Sequence, residues 1–137
     1  MANDVSETRP SKMKVWLAEV RAPFFSATVV PVLLGAVIAW ARTGTLDLGL
    51  FVLTMLGALL LHTGTNVAND YFDHRSGTDD INVEFVRPFT GGSRMIQNDL
   101  LTPREVLSGA LAAFALASVI GLYLTYVRGP MIIVLGL

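Results

Sequence analysis

Polar and acidic side chains gather at the end of a long apolar run, in the stretch 66–80, which reads NVANDYFDHRSGTDD. Five of the eleven acidic residues fall between positions 70 and 84, so the charge is concentrated here. In a helix, residues spaced i, i+4, i+7 and i+11 share one face. A polar stripe is therefore predicted on an otherwise apolar helix, formed by His62, Asn66, Asn69 with Asp70, and Asp73, at i, i+4, i+7 with i+8, and i+11.

The residue types in this stretch suit a metal ion that holds a diphosphate. Asn69 and Asp73 are one helical turn apart, and Asp79 can fold back after the turn at Gly77. Mg²⁺ takes oxygen ligands and commonly bridges one or two carboxylates to substrate phosphates. Arginine neutralises phosphate charge through paired hydrogen bonds, and three arginines lie nearby: Arg75, Arg87 and Arg94. The chemistry therefore predicts a metal–phosphate site.

Composition places this site in a membrane protein. Apolar residues make up 53% of the chain and charged residues 15%, mean hydropathy is +0.56, and apolar runs reach about twenty residues. Ionisable groups inside a membrane mark functional sites, although a charged run can also be a solvated cap at the membrane surface. His62 is interpreted as a packed or hydrogen-bonded residue, because no second histidine lies at metal-ligand spacing. The absence of cysteine excludes disulfides, thiolate nucleophiles and cysteine-based zinc sites.

The apolar runs predict an all-α integral membrane bundle with three full spans and a partial fourth. Trp16 would anchor an interfacial amphipathic helix at the headgroup level. Thr102 and Glu105 have the spacing of a capping box that starts the third span. The predicted segments are a disordered tail at 1–10, the interfacial helix at 11–22, spans at 24–41, 48–69 and 103–127, a polar cytoplasmic loop at 70–101 and the partial span at 130–137.

The basic residues predict the orientation of these spans. Eight lysines and arginines precede the first span or lie between the second and third, against Arg42 and Arg128 on the other side. The positive-inside rule then puts the N-terminus and the acidic loop in the cytoplasm. The final apolar residues are too few to cross a ~30 Å hydrocarbon core at ~1.5 Å per residue. The sequence is therefore expected to be the N-terminal part of a longer protein.

The acidic stretch resembles the first aspartate-rich motif of the UbiA superfamily of intramembrane prenyltransferases. Its pattern of Asn69, Asp73 and Asp79 is similar to the Asn-x3-Asp-x5-Asp spacing of the 1,4-dihydroxy-2-naphthoate polyprenyltransferases of menaquinone biosynthesis. The resemblance extends upstream to Trp16-x4-Arg21-Ala-Pro23 and downstream to the segment RPFTGGSR at 87–94. It covers most of the chain from Trp16 to Glu105.

This resemblance implies Mg²⁺-dependent transfer of a polyprenyl group from its diphosphate to an aromatic acceptor, in the cytoplasmic membrane of a prokaryote. Asn69, Asp73 and Asp79 match the catalytic metal–diphosphate residues, with Asp73 and Asp79 as the metal ligands. The substrate-binding neighbours are expected to be Asn66, Asp70, Arg75, Arg87 and Arg94. Ser76 departs from the pattern, because that branch often has lysine before the glycine.

The second aspartate-rich motif of the superfamily is absent from these residues. Ionising an allylic diphosphate requires charge neutralisation in a site that excludes water, so this chain alone is expected to be inactive. A C-terminal half or a second chain would complete the site. Two alternatives stay open, namely prenyl transfer to another aromatic or lipid acceptor and a cation-coupled transporter whose polar stripe is an ion path. The partners expected are the prenyl diphosphate, the acceptor and the lipid bilayer, without nucleic acid.

Overall fold

The computed structural model describes residues 9–77 and 92–136, and every regular element in these ranges is helical. Three helices are long and apolar enough to cross a membrane, which confirms the predicted all-α membrane architecture. The element bounds are α1 Lys12–Glu19, a 3₁₀ turn Ala22–Phe25, α2 Ser26–Thr43, α3 Leu48–Ser76, α4 Pro103–Arg128 and α5 Met131–Gly136.

The second span continues further than its apolar run. The predicted loop begins at residue 70, whereas α3 stays helical to Ser76 and ends at Gly77, whose φ of 75° stops the helix. The polar residues after position 69 include no glycine or proline before Gly77, so nothing in the backbone interrupts the helix there. At ~1.5 Å per residue, α3 is about 43 Å long, which exceeds a ~30 Å hydrocarbon core. Its polar end therefore reaches the headgroup region.

The third span starts as its sequence predicts. Thr102 caps α4 by accepting a hydrogen bond from the backbone N–H of Glu105 at 3.2 Å. The Glu105 carboxylate accepts one in return from the Thr102 backbone N–H at 2.9 Å. This reciprocal pair confirms the predicted capping box.

Helices α3 and α4 pack closely because small residues lie at their contact. A Cβ atom on Gly64 would come within 2.9 Å of the Phe114 ring, so only glycine allows this approach without a shift. Helix α1 lies across the end of this pair, where Trp16 contacts Gly109. The core at that end includes residues from the segment 92–101, and its buried members are Val15, Val67, Met95, Ile96, Leu101, Val106 and Ala110.

Candidate functional site

The exposed side of the polar stripe ends in a pair of oxygen-bearing side chains on α3. The side-chain amide of Asn69 donates a hydrogen bond to Asp73 Oδ2 at 2.6 Å, across one helical turn. Asn69 is exposed and Asp73 is half-buried. Asn69 Oδ1 and Asp73 Oδ1 have no hydrogen-bond partner within the described ranges. Two oxygens are therefore available to a ligand at this end of the helix.

Asp70 faces a different environment from Asp73. It is buried, with 4% of its surface exposed. Its Oδ1 lies 2.7 Å from Arg21 Nη2 in an ion pair, and its Oδ2 accepts a hydrogen bond from the backbone N–H of Ser93 at 2.8 Å. Both oxygens are thus engaged with the chain itself. Asp70 connects α3 to the residues after α1 and to the segment 92–101.

Arg21 reaches Asp70 because the backbone turns sharply after α1. Its φ of 54° and ψ of 49° are left-handed, a conformation that non-glycine residues adopt seldom. Gly92 lies against this ion pair, since a Cβ atom there would meet Asp70 Oδ1 at 3.1 Å. Its own φ is 68°. Both the conformation and the close approach favour glycine at position 92.

Glu19 is a buried carboxylate in this cluster that no pattern in the sequence indicates. It is fully buried, and its Oε2 accepts a hydrogen bond from the Ser93 hydroxyl. Its Oε1 has no partner in the part of the chain that the structure describes. Burial raises the pKa of Glu19 to about 7, against the lowering effect of the Ser93 hydrogen bond; the charge of Asp70 raises it further and that of Arg21 lowers it. In the sequence, Glu19 is the single acidic residue in a segment with Lys12, Lys14 and Arg21. It therefore looks like part of a solvated helix face.

Further along α3, the polar stripe contacts the first span. Asn66 donates a side-chain hydrogen bond to the Val20 carbonyl at 3.2 Å. His62 Nδ1 lies 2.7 Å from Thr28 Oγ1, and the His62 ring packs edge-on against Phe25. These contacts confirm the interpretation of His62 as a hydrogen-bonded residue.

The arginines predicted to bind phosphate are only partly described. Arg75 is exposed near the end of α3, with Nη1 3.5 Å from the Tyr71 hydroxyl. Arg94 lies beside the buried cluster, with a φ of 58°. Arg87 and Asp79 lie outside the described residues, so their positions relative to Asp73 stay predictions.

Some of the described residues could serve as ligands of a Mg²⁺ ion. Within 9–77 and 92–136 there is no group of three histidine, cysteine, aspartate or glutamate residues that could hold a metal ion. Mg²⁺ nevertheless often uses only one or two protein carboxylates, with water and substrate phosphates as its other ligands. The free oxygens of Asn69 and Asp73 fit that requirement, since both are hard donors at an accessible helix end.

The sequence profile of the UbiA prenyltransferase family matches residues 28–137. The chain is 33% identical over 122 residues to the 1,4-dihydroxy-2-naphthoate octaprenyltransferase of Mycobacterium tuberculosis, covering 88% of this chain and 39% of that protein. It is 28% identical over 110 residues to the 2-carboxy-1,4-naphthoquinone phytyltransferase of Synechocystis, covering 80% of this chain and 35% of that protein. A third relative, the UbiA prenyltransferase domain-containing protein 1 of Xenopus tropicalis, is 38% identical over 68 residues, or 50% of this chain and 20% of that protein.

The chain thus spans between a third and two fifths of the length of the first two relatives. No solved structure matches it.

Proposed function

Because the chain belongs to the UbiA prenyltransferase family, we propose that its protein transfers a polyprenyl group from a prenyl diphosphate to an aromatic acceptor. The match to the family profile confirms the resemblance predicted from the sequence. For the acceptor we propose 1,4-dihydroxy-2-naphthoate, in menaquinone biosynthesis. The gap between Asp73 and Asp79 supports this choice, as do two relatives whose names specify naphthoate or naphthoquinone substrates.

The observation that carries the proposal is the Asn69–Asp73 pair at the end of a membrane-spanning helix. Asn69 Oδ1 and Asp73 Oδ1 would hold Mg²⁺, and Asp79 is proposed as a further ligand from the other side of the turn. When bound, Mg²⁺ neutralises the charge that develops on the diphosphate leaving group. The hydrogen bond between Asn69 and Asp73 keeps the two side chains in one orientation, so little reorganisation is needed when charge develops.

The remaining polar residues have complementary tasks in this proposal. Arg75 is exposed two residues beyond Asp73 on the same helix, and its long guanidinium side chain can bind diphosphate oxygens. Arg87 and Arg94 are proposed to add positive charge. Asn66 and Asp70 belong to the same wall, and the contacts of Asp70 give it the task of holding that wall in place rather than touching substrate.

The apolar spans account for the hydrocarbon part of the donor. The three spanning helices present large apolar side chains on their outer surfaces. A polyprenyl tail is excluded from water and is stabilised against such surfaces. We propose that the protein lies in the cytoplasmic membrane of a prokaryote with its acidic end in the cytoplasm, and that the residues beyond those of this chain complete the site.

The test is prenyl transfer by the full-length protein in detergent with Mg²⁺, one polyprenyl diphosphate and a panel of aromatic acids and lipid alcohols. Asp73→Ala and Asp79→Ala are expected to lower kcat by at least ~10²–10³-fold, because each removes a group that neutralises transition-state charge. Glu84→Ala and Thr54→Val are the controls and should keep activity. The Thr54 hydroxyl only bonds the Leu50 carbonyl of its own helix, at 2.8 Å.

Wild-type turnover by Asp73→Ala at ordinary Mg²⁺ concentration would contradict the assignment of the site. Product from 4-hydroxybenzoate with none from the naphthoate would overturn the proposed acceptor. The proposed donor and metal site would still stand.

A further inference from the structure

His62 lies in the middle of α3, among apolar residues of a membrane span. Polar side chains at such a depth are costly to bury and generally line a cavity or a functional site. A metal site made of two histidines is excluded by distance. The second histidine of the chain, His74, is twelve residues further along the same helix, which is about 18 Å.

The ring of His62 is held in one orientation from two sides. Thr28 on α2 occupies Nδ1 at 2.7 Å. The Phe25 ring packs at right angles to the imidazole, with centroids 5.3 Å apart and planes inclined by 79°. Nε2 has no hydrogen-bond partner among the described residues. The structure thus fixes one ring nitrogen and leaves the other for a ligand.

A shallow cavity of about 420 Å³, open on one side, lies at this point along α3, and Thr28 is the residue of α2 that lines it. This volume is in the ~300–1,000 Å³ range of small-molecule sites, which combine apolar walls with a few placed polar groups. The cavity has that character, since its lining residues are Thr28, Ala58, Leu61, His62, Thr65 and Asn66. The Asn66 side-chain amide is used by Val20, which leaves its Oδ1 without a partner in the described chain.

The cavity lies on the same helix face as the proposed diphosphate site. His62 and Asn69 are seven residues apart, or about 10 Å along the axis. The carbon of the donor that is attacked is bonded directly to a diphosphate oxygen, and an attacking atom must come within ~3–3.5 Å of it. An aromatic acceptor in this position would extend along α3 from the diphosphate towards His62.

We propose that His62, positioned by Thr28, binds an oxygen substituent of the aromatic acceptor through Nε2 in this cavity along α3. This inference rests on the proposed function, because it assigns the acceptor side of the same reaction. A phenolic hydroxyl can donate or accept a hydrogen bond, so it is compatible with either tautomer of the imidazole.

The test measures KM for each substrate separately in the full-length protein, with 1,4-dihydroxy-2-naphthoate varied at saturating donor and then the reverse. His62→Leu should raise the acceptor KM by about tenfold, the equivalent of one hydrogen bond, with the donor KM unchanged. His62→Gln retains a hydrogen-bonding group and should have a smaller effect in the same direction. Thr54→Val, which also changes one polar residue of α3, should change neither KM.

Thr28→Val provides a second route to the same result if His62→Leu does not fold. It leaves the imidazole in place without its partner, so the acceptor KM should rise while the donor KM stays constant. An unchanged acceptor KM in both His62→Gln and Thr28→Val would overturn the inference, as would equal changes in both KM values, which indicate a packing role. Absence of prenyl transfer in the wild-type protein would instead overturn the proposed function itself.

Discussion

Two neighbouring aspartates on α3 have opposite surroundings. Asp73 has one oxygen without a partner among residues 9–77 and 92–136, whereas both oxygens of Asp70 are bound by Arg21 and Ser93. A three-residue separation on a helix places the side chain of Asp70 about 60° around the axis from that of Asp73, so Asp70 lies at the edge of the predicted stripe. That rotation moves Asp70 under α1 and the segment 92–101, where it has a structural task.

Glu19 gives the buried cluster a dependence on pH. The folded protein holds the Glu19 proton up to about pH 7, whereas an exposed glutamate releases it near 4.5. The folded state binds more protons between these values, so its stability falls as pH rises across this range and is fully present below it. The loss is at most about 3 kcal/mol. Glu19→Gln should remove this dependence, raising the thermal midpoint in detergent at pH 8 while leaving it nearly unchanged at pH 4.5.

Titrations of other groups are common to both proteins, so the informative quantity is the difference in midpoint between wild type and Glu19→Gln at each pH. A difference that stays constant from pH 4.5 to 8 would show that Glu19 does not hold its proton in the folded state.

At this scale, the sequence predicts the residues that repeat along one helix and misses those that meet across elements. The spacing of Asn69 and Asp73 is visible in the sequence, because both lie on α3. The approach of Glu19 to Ser93 spans 74 residues and depends on the left-handed turn at Arg21, which no local pattern indicates.

Among the elements, α1 is held to α4 by an aromatic side chain against a glycine. A Cβ atom on Gly109 would lie 2.7 Å from the Trp16 ring. Gly109→Ala should therefore displace the indole and destabilise the protein by ~1–3 kcal/mol. Gly121 on the same helix has open space at its Cβ position. Gly121→Ala should be neutral or stabilising by up to ~1 kcal/mol. Thermal unfolding in detergent measures both.

Equal midpoints for the two alanine variants would contradict the close contact between α1 and α4. A shift in tryptophan emission confined to Gly109→Ala would support it, because Trp40, the second tryptophan, lies on α2.

The boundaries of the helices were predicted best where a local sequence signal marks them. Thr102 and Glu105 mark the start of α4. The cap of α3, where Asp47 accepts from the Leu50 backbone N–H at 3.0 Å, was not predicted. The polar residues after position 69 led to a predicted end of α3 that is too early. A helix end in the headgroup region can carry polar residues without unwinding. The segment 92–101 was likewise predicted only as part of a polar loop, although Met95, Ile96 and Leu101 are buried in the core.

For the whole molecule, the spans alternate in direction, and both connections of α3 can be tested for their side of the membrane. Thr45 lies in the connection before α3 and Asn98 in the connection after it, and both residues are exposed. The protein has no cysteine, so Thr45→Cys and Asn98→Cys each introduce a unique thiol. In intact cells, a membrane-impermeant thiol reagent should label position 45, whereas position 98 should react only after permeabilisation.

The reverse pattern would overturn the orientation inferred from the basic residues. Labelling of both positions in intact cells would contradict the assignment of α3 as a span.

The separation in sequence between the paired side chains of the buried cluster imposes an order of events during synthesis. Arg21 precedes Asp70 by 49 residues and Glu19 precedes Ser93 by 74. At ~5–20 residues per second, the ribosome makes Glu19 roughly 4–15 s before Ser93. An unpaired charge is too costly to bury in the meantime, so we expect the side chains of Glu19 and Arg21 to stay in water until their partners have been made. We therefore expect α1 to dock only after the segment 92–101 has been made.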